Sequence, residues 1–171
     1  VDINGGTIDG VTSFNGTEIV TPATLSVGVG IDALDSITTG IRNVALGDNA
    51  LTDCAAGGDN SAVGYAALRL NTDGDRNTAF GGYALSKNST GTENAGFGTQ
   101  ALYWNSTGNG NSALGYDALG LNTGSNNTAI GYGAGNNITS GSSNIMIGYN
   151  IDADSATASN QLNIGGAIKG D

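Results

Sequence analysis

The chain has 171 residues, among them 30 Gly, one Pro and no His, and only 12% of it is charged. Fifteen acids against five bases leave a net charge of −10, which argues against nucleic acid or an anionic membrane as partner. The lack of His excludes Ser-His-Asp and Cys-His nucleophiles and removes the usual zinc ligands.

The chain opens on Val1 with no secretory signal, and reads as an excerpt or processed product of something longer. Residues 1–25 follow no period. Short alternating stretches punctuated by Gly, with turn signals at Asn4-Gly5 and Asn15-Gly16, predict an extended N-terminal shaft segment. Pro22, the single proline, stands where this irregular segment ends.

From residue 26 to 150 the sequence repeats. Asn111-Ser112-Ala113-Leu114-Gly115-Tyr116-Asp117-Ala118-Leu119 has close copies starting at Asn43, Asn60, Asn77, Asn94, Asn127 and Asn144, spaced 17 residues apart except for one spacing of 16. An eighth copy starts at Ser26 and lacks the Asn. Counting the Asn as slot one, slot five is Gly throughout: Gly30, Gly47, Gly64, Gly81, Gly98, Gly115, Gly131 and Gly148. Slot four is always large and apolar, from Val29 to Ile147. Slot three is small until Met146, slots eight and nine are Ala-Leu through Ala118-Leu119, and a further Gly closes most repeats. A fixed period of this length is the mark of a solenoid.

Helices do not suit the pattern. Gly twice per repeat costs a helix about 1 kcal/mol each time, and no 3.6-residue apolar stripe persists. The expectation is an all-β, parallel β-solenoid or β-roll of about eight turns of 16–17 residues, with two short extended pieces per turn. Turns stacked about 4.8 Å apart would make a rod roughly 40 Å long. The slot-five Gly fits a corner that needs positive φ or close backbone approach. The Asn column fits an amide ladder or a corner cap. Each turn offers few large apolar side chains against the entropy of ordering it. The small slot-three column would then be a smooth wall for another backbone, and parallel copies of the chain should associate around one shared axis. No cofactor or metal is expected, and no apolar run approaches the roughly 18–20 residues that would insert in a membrane.

Chemistry-bearing residues are few. Cys54 stands in a slot that elsewhere holds Asn71, Asn88, Asn105 and Asn122, and reads as structural. Asp73 and Asp75 flank Gly74 in a turn; as a pair they could serve glycoside hydrolysis or, with Asp59, bind calcium, but a solvated turn is the ordinary reading. Tyr65, Tyr116, Tyr132 and Tyr149 share slot six and should stack. Tyr103 and Trp104 occupy variable slots ten and eleven, where other copies carry Arg69-Leu70 or Ser86-Lys87. Tyr103, Trp104, Arg69 and Lys87 are the candidate receptor contacts, since planar aromatics among polar residues suit recognition of sugars or proteins. An ice-binding array would need regular Thr, and Val44, Ala95 and Ile145 interrupt the slot of Thr78 and Thr128.

Residues 151–171 break the pattern and predict a loop, then a closing strand or hairpin through Leu162, Ile164 and Ile168 that caps the stack.

The Asn-x-Ala-apolar-Gly core, as in Asn127-Thr128-Ala129-Ile130-Gly131, resembles the head repeats of trimeric autotransporter adhesins, and more closely the collar or tip repeats of bacteriophage tail fibres. The resemblance covers about residues 26–150. Ile3-Asn4-Gly5-Gly6-Thr7-Ile8-Asp9-Gly10 is similar to fibre shaft segments, and Asn160-Gln161-Leu162-Asn163-Ile164-Gly165 to the stretch before a self-cleaving chaperone domain. The resemblance implies a parallel homotrimer of left-handed β-rolls that attaches to a host or prey cell-surface receptor, a glycan or an outer-surface protein. It implies a virion tail fibre, or an extracellular or cell-surface location, and no enzymatic activity. A structural collar or spacer and a polysaccharide-degrading tailspike are the alternatives.

Overall fold

The computed structural model describes residues 13–14, 17–20 and 26–170. It holds twelve strands: β1 Ser13–Phe14, β2 Thr17–Val20, β3 Val27–Val29, β4 Val44–Leu46, β5 Ser61–Val63, β6 Thr78–Phe80, β7 Ala95–Phe97, β8 Ser112–Leu114, β9 Thr128–Ile130, β10 Ile145–Ile147, β11 Leu162–Ile164 and β12 Ile168–Gly170. All lie in one sheet in chain order. From β3 to β11 each strand is parallel to the next, slot against slot, as in Ser61↔Thr78 and Ser112↔Thr128. The solenoid read from the repeat is the observed fold, and no helix occurs among the described residues.

Each rung has one three-residue strand rather than two extended pieces. The remainder is turn, bent by left-handed residues at fixed slots. Slot seven has φ of 54° at Ala66 and 61° at Tyr83; slot nine has 51° at Leu68 and 52° at Leu85; slot seventeen has 58° at Asp59 and 55° at Arg76. A left-handed Leu costs about 1–2 kcal/mol. Full burial of the same side chain returns about 1.5–3 kcal/mol, and Leu51, Leu68, Leu85, Leu102 and Leu119 are all fully buried. The slot-five Gly meets both conditions anticipated for it: Gly47 has φ 135°, and a Cβ there would stand 2.6 Å from the Gly64 carbonyl oxygen.

The core is a thin column of Ala and Leu from slots three, eight and nine. Slot three therefore differs from expectation. Ala45, Ala62, Ala79, Ala113, Ala129 and Met146 are buried inside their own chain and form no outer wall. Strand side chains alternate in direction, so slot three faces in and slots two and four face out. The small residues are needed because a single Leu separates the strand from the opposite side of the turn: an added Cβ at Gly96 would lie 3.4 Å from Leu85 Cδ1.

Two columns of buried asparagine run beside this core. The slot-one Asn donates its backbone N–H to the side-chain oxygen of the Asn one rung before, from Asn60 on Asn43 to Asn144 on Asn127. Its side-chain N–H donates to the carbonyl of the Gly that closes its own repeat, as Asn60 does to Gly74 at 2.8 Å. The slot-twelve Asn donates to that same carbonyl, as Asn71 does to Gly74 at 2.8 Å. Ser26 serves where the Asn is missing, its Oγ accepting the Asn43 N–H at 3.0 Å.

The change of sequence after residue 150 is not a change of register. Gln161 takes the slot-one role, donating its N–H to Asn144 Oδ1 at 2.8 Å, and β11 continues the parallel stack. The closing hairpin is β11 with antiparallel β12. At the other end β2 covers β3 antiparallel and pairs with β1, the two flanking the Asn15-Gly16 turn signal. The expected shaft segment otherwise lies outside the described residues.

Candidate functional site

Two surfaces of the stack stand out. The first is the outward strand face made by slots two and four. Leu46, the half-buried Val63, Phe80, Phe97, Leu114 and Ile130 follow one another up this face, the others from 41% exposed at Phe97 to 54% at Leu114. Phe80 and Phe97 stack at 6.1 Å between centroids. Between Phe97, Leu114 and Ile130 lies a shallow depression of about 190 Å³.

The second is a corner built from slots six, seven, ten and eleven. The Ala-Leu pair between those slots is buried, and the left-handed bends at slots seven and nine turn the flanking side chains outward. Hydrogen bonds between rungs hold the backbone there: Leu70 N–H donates to the Ser86 carbonyl, Lys87 N–H to that of Tyr103 and Trp104 N–H to that of Gly120, at 3.1, 3.0 and 2.9 Å.

Four aromatic rings form a chain across this corner. Tyr65 meets Tyr83 edge-on at 5.2 Å, Tyr83 meets Tyr103 at 6.2 Å, and Tyr103 meets Trp104 at 5.3 Å, all nearly perpendicular. Trp104 is 50% exposed, and the Lys87 ammonium sits 5.7 Å from its ring centroid, a cation–π contact. Partial burial pushes the Tyr83 phenol up from its ordinary value; the Tyr65 phenol adds to the shift and the Arg69 guanidinium opposes it. The structure thus brings all four candidate contacts, Tyr103, Trp104, Arg69 and Lys87, onto one corner.

Charge is distributed unevenly among the bases. Arg42 pairs with Asp59 at 2.6 Å, Arg76 with Glu93 at 3.0 Å and Lys169 with Asp154 at 2.7 Å. Arg69 and Lys87 have no acid partner among the described residues, and both stand at the aromatic corner. The repeat arithmetic contains this signal. Arg42 and Asp59 lie one period apart, as do Arg76 and Glu93, whereas one period on either side of Arg69 are Thr52 and Ser86, and around Lys87 are Leu70 and Trp104.

Tyr65 and Tyr83 are members of the corner that the sequence did not reveal. Slot-six stacking holds for Tyr116, Tyr132 and Tyr149, near-parallel at 5.1 and 5.3 Å. It fails at Tyr65 because the next slot six is Gly82, and Tyr83 fills the space instead. Two of the acidic turn residues serve to couple rungs. Asp75 accepts the Gly58 N–H at 2.7 Å, and Asp59 is held by Arg42, whose hydrogen bond keeps that carboxyl below its ordinary value. Cys54 is buried, its thiol donating to the Gly57 carbonyl at 3.4 Å, and burial pushes its pKa up to about 11.

No protein-family model, curated protein or solved structure matches this chain.

Proposed function

We propose that the chain is a non-enzymatic fibre module that works as a parallel homotrimer and attaches to a cell surface. The observation that carries this reading is the strand face. The slot-four column is large and apolar at every rung from β4 to β10 and is about half exposed at Leu46, Phe80, Phe97, Leu114 and Ile130, and a contiguous exposed apolar strip marks an interaction surface. A large apolar side chain recurs in slot four at every rung, so a second and third copy placed parallel meet partners of the same kind along the whole stack. A closed three-fold arrangement buries the stripe of every copy at once. The likeness of the repeat to adhesin heads and tail-fibre collars supports the same assembly, and a virion tail fibre or cell-surface location with it.

Rigidity and copy number support the attachment reading. A stack of hydrogen-bonded rungs is a rigid post, and three copies of one weak corner site act together through effective concentration. The receptor is a glycan or an outer-surface protein of the host or prey cell.

Light scattering of the purified chain tests the assembly, and a whole-cell binding assay tests the role. The expected mass is three times 16.9 kDa. A stable, well-behaved single chain would overturn the proposal, and a trimer that binds no cell would reduce it to a spacer.

A further inference from the structure

We propose that the corner formed by Tyr83, Tyr103, Trp104, Arg69 and Lys87 binds an acidic saccharide, through its ring faces and its carboxylate. This deepens the attachment reading and rests on it.

In a chain with three times as many acids as bases, an unpaired cation is unusual, and two of the five bases lack an acid partner among the described residues. Both sit within one corner, three rungs high, where the aromatic rings are also concentrated. Lys87 rests on the Trp104 ring, a weak contact where exposed. A carboxylate offers such an ammonium a stronger, charge-assisted partner, and the forked guanidinium of Arg69 can take one in bidentate fashion.

The rings specify the rest of the ligand. Trp104 and Tyr83 are part-exposed, and the phenols of Tyr65, Tyr83 and Tyr103 supply hydroxyls that both donate and accept. A flat apolar face, many hydroxyls and an occasional negative charge are the features of a uronic or sialic acid unit. Dense polyanions fit poorly, because the remaining surface is strongly acidic and repels them. The corner is convex and open, so a single site is weak and depends on the three-fold copy number.

The test uses the full chain and its single tryptophan, whose emission reports on this corner alone. Sialyllactose and oligogalacturonate form the carboxylated arm, a heparin-derived tetrasaccharide the sulfated arm, cello-oligosaccharide the neutral control and inorganic sulfate the bare-anion control. A saturable change with the carboxylated arm, weakened by salt, is the expected result. The Arg69→Gln/Lys87→Gln double variant should lose about tenfold or more in affinity with its melting temperature unchanged, and Arg76→Gln should bind as wild type does.

No response to acidic saccharides, an equal response to the neutral one, unchanged binding by the double variant or the same response to sulfate alone would each overturn the inference. A response confined to the sulfated arm would overturn the choice of carboxylate. A trimer that adheres to cells with a silent Trp104 overturns this inference and leaves the attachment reading standing. A responding Trp104 in a chain that binds no cell does the reverse.

Discussion

The side-chain oxygen of Asn77 accepts the backbone N–H of Asn94 at 3.0 Å, one rung further along the stack. That N–H lies just before a strand, where the ladder supplies no carbonyl for it, while the Asn94 carbonyl already accepts from Thr78 at 2.8 Å. The column of asparagines is thus a second ladder, made of side chains, that completes the backbone one.

Removing one member should orphan the next. In Asn94→Ala, the buried Asn111 N–H loses its acceptor at 2.9 Å, at a cost of about 2–3 kcal/mol. Urea unfolding measures it. A loss below about 0.5 kcal/mol, the range of an ordinary surface change, would show that the column is ornamental.

Cys54 stands at the end of the parallel column at slot twelve, one rung before Asn71. Cys54→Asn should extend it, with the new amide donating to Gly57 and accepting from Asn71, and stabilise by about 1 kcal/mol. The native thiol should resist an aromatic disulfide reagent at pH 8. Its folded pKa, about 11, is raised, so its contribution to stability is present below the ordinary thiol value and lost as pH rises through about 11. Rapid labelling of the folded chain at pH 8 would contradict this.

Asp117 carries the opposite opportunity. Asn136 Nδ2 donates to one of its carboxylate oxygens at 2.7 Å, while buried Asn136 Oδ1 has no partner. Partial burial raises the Asp117 carboxyl against that hydrogen bond, and its φ is 54°. Asn tolerates this conformation well, and its amide can donate to the orphan oxygen. Asp117→Asn should stabilise by about 1 kcal/mol at pH 7. The sign follows from the raised pKa: stability from the carboxyl is present below its ordinary value and lost as pH rises through the raised one. The advantage of the variant should therefore shrink in acid, and a pH-independent difference in melting temperature would refute it.

Slots three and four should respond differently to mutation. Ala79→Val overpacks the chain's own core and should cost about 1–3 kcal/mol without changing the proposed trimer. Phe97→Asp puts a charge on the outward face and should yield a smaller particle in light scattering. If Ala79→Val dissociates the assembly and Phe97→Asp does not, the inward and outward assignments are reversed.

The architecture was readable because the period is strict: once Asn43 and Asn60 are aligned, parallel register follows from the arithmetic. Direction was not readable. Ala79 and Phe80 look equally suited to an interior, and only the three-residue length of the strand and the placement of Leu85 decide which one enters. The corner was half legible. Tyr103 and Trp104 stood out as departures from their slots, but Tyr65 and Tyr83 belong to other slots. They join the corner because the buried pairs Ala67-Leu68 and Ala84-Leu85 fold slots six and seven back beside slots ten and eleven, a three-dimensional fact that left-handed leucines create and propensity does not foretell.

Because every junction from β4 to β10 has the same strand pairing, the backbone ladder binds no rung to its particular neighbour. Excising or duplicating one period leaves both ends of the break able to dock on each other. The gene can therefore lengthen or shorten this post by unequal recombination, a notch at a time, while the two end hairpins stay untouched. Reach can vary among descendants faster than cross-section.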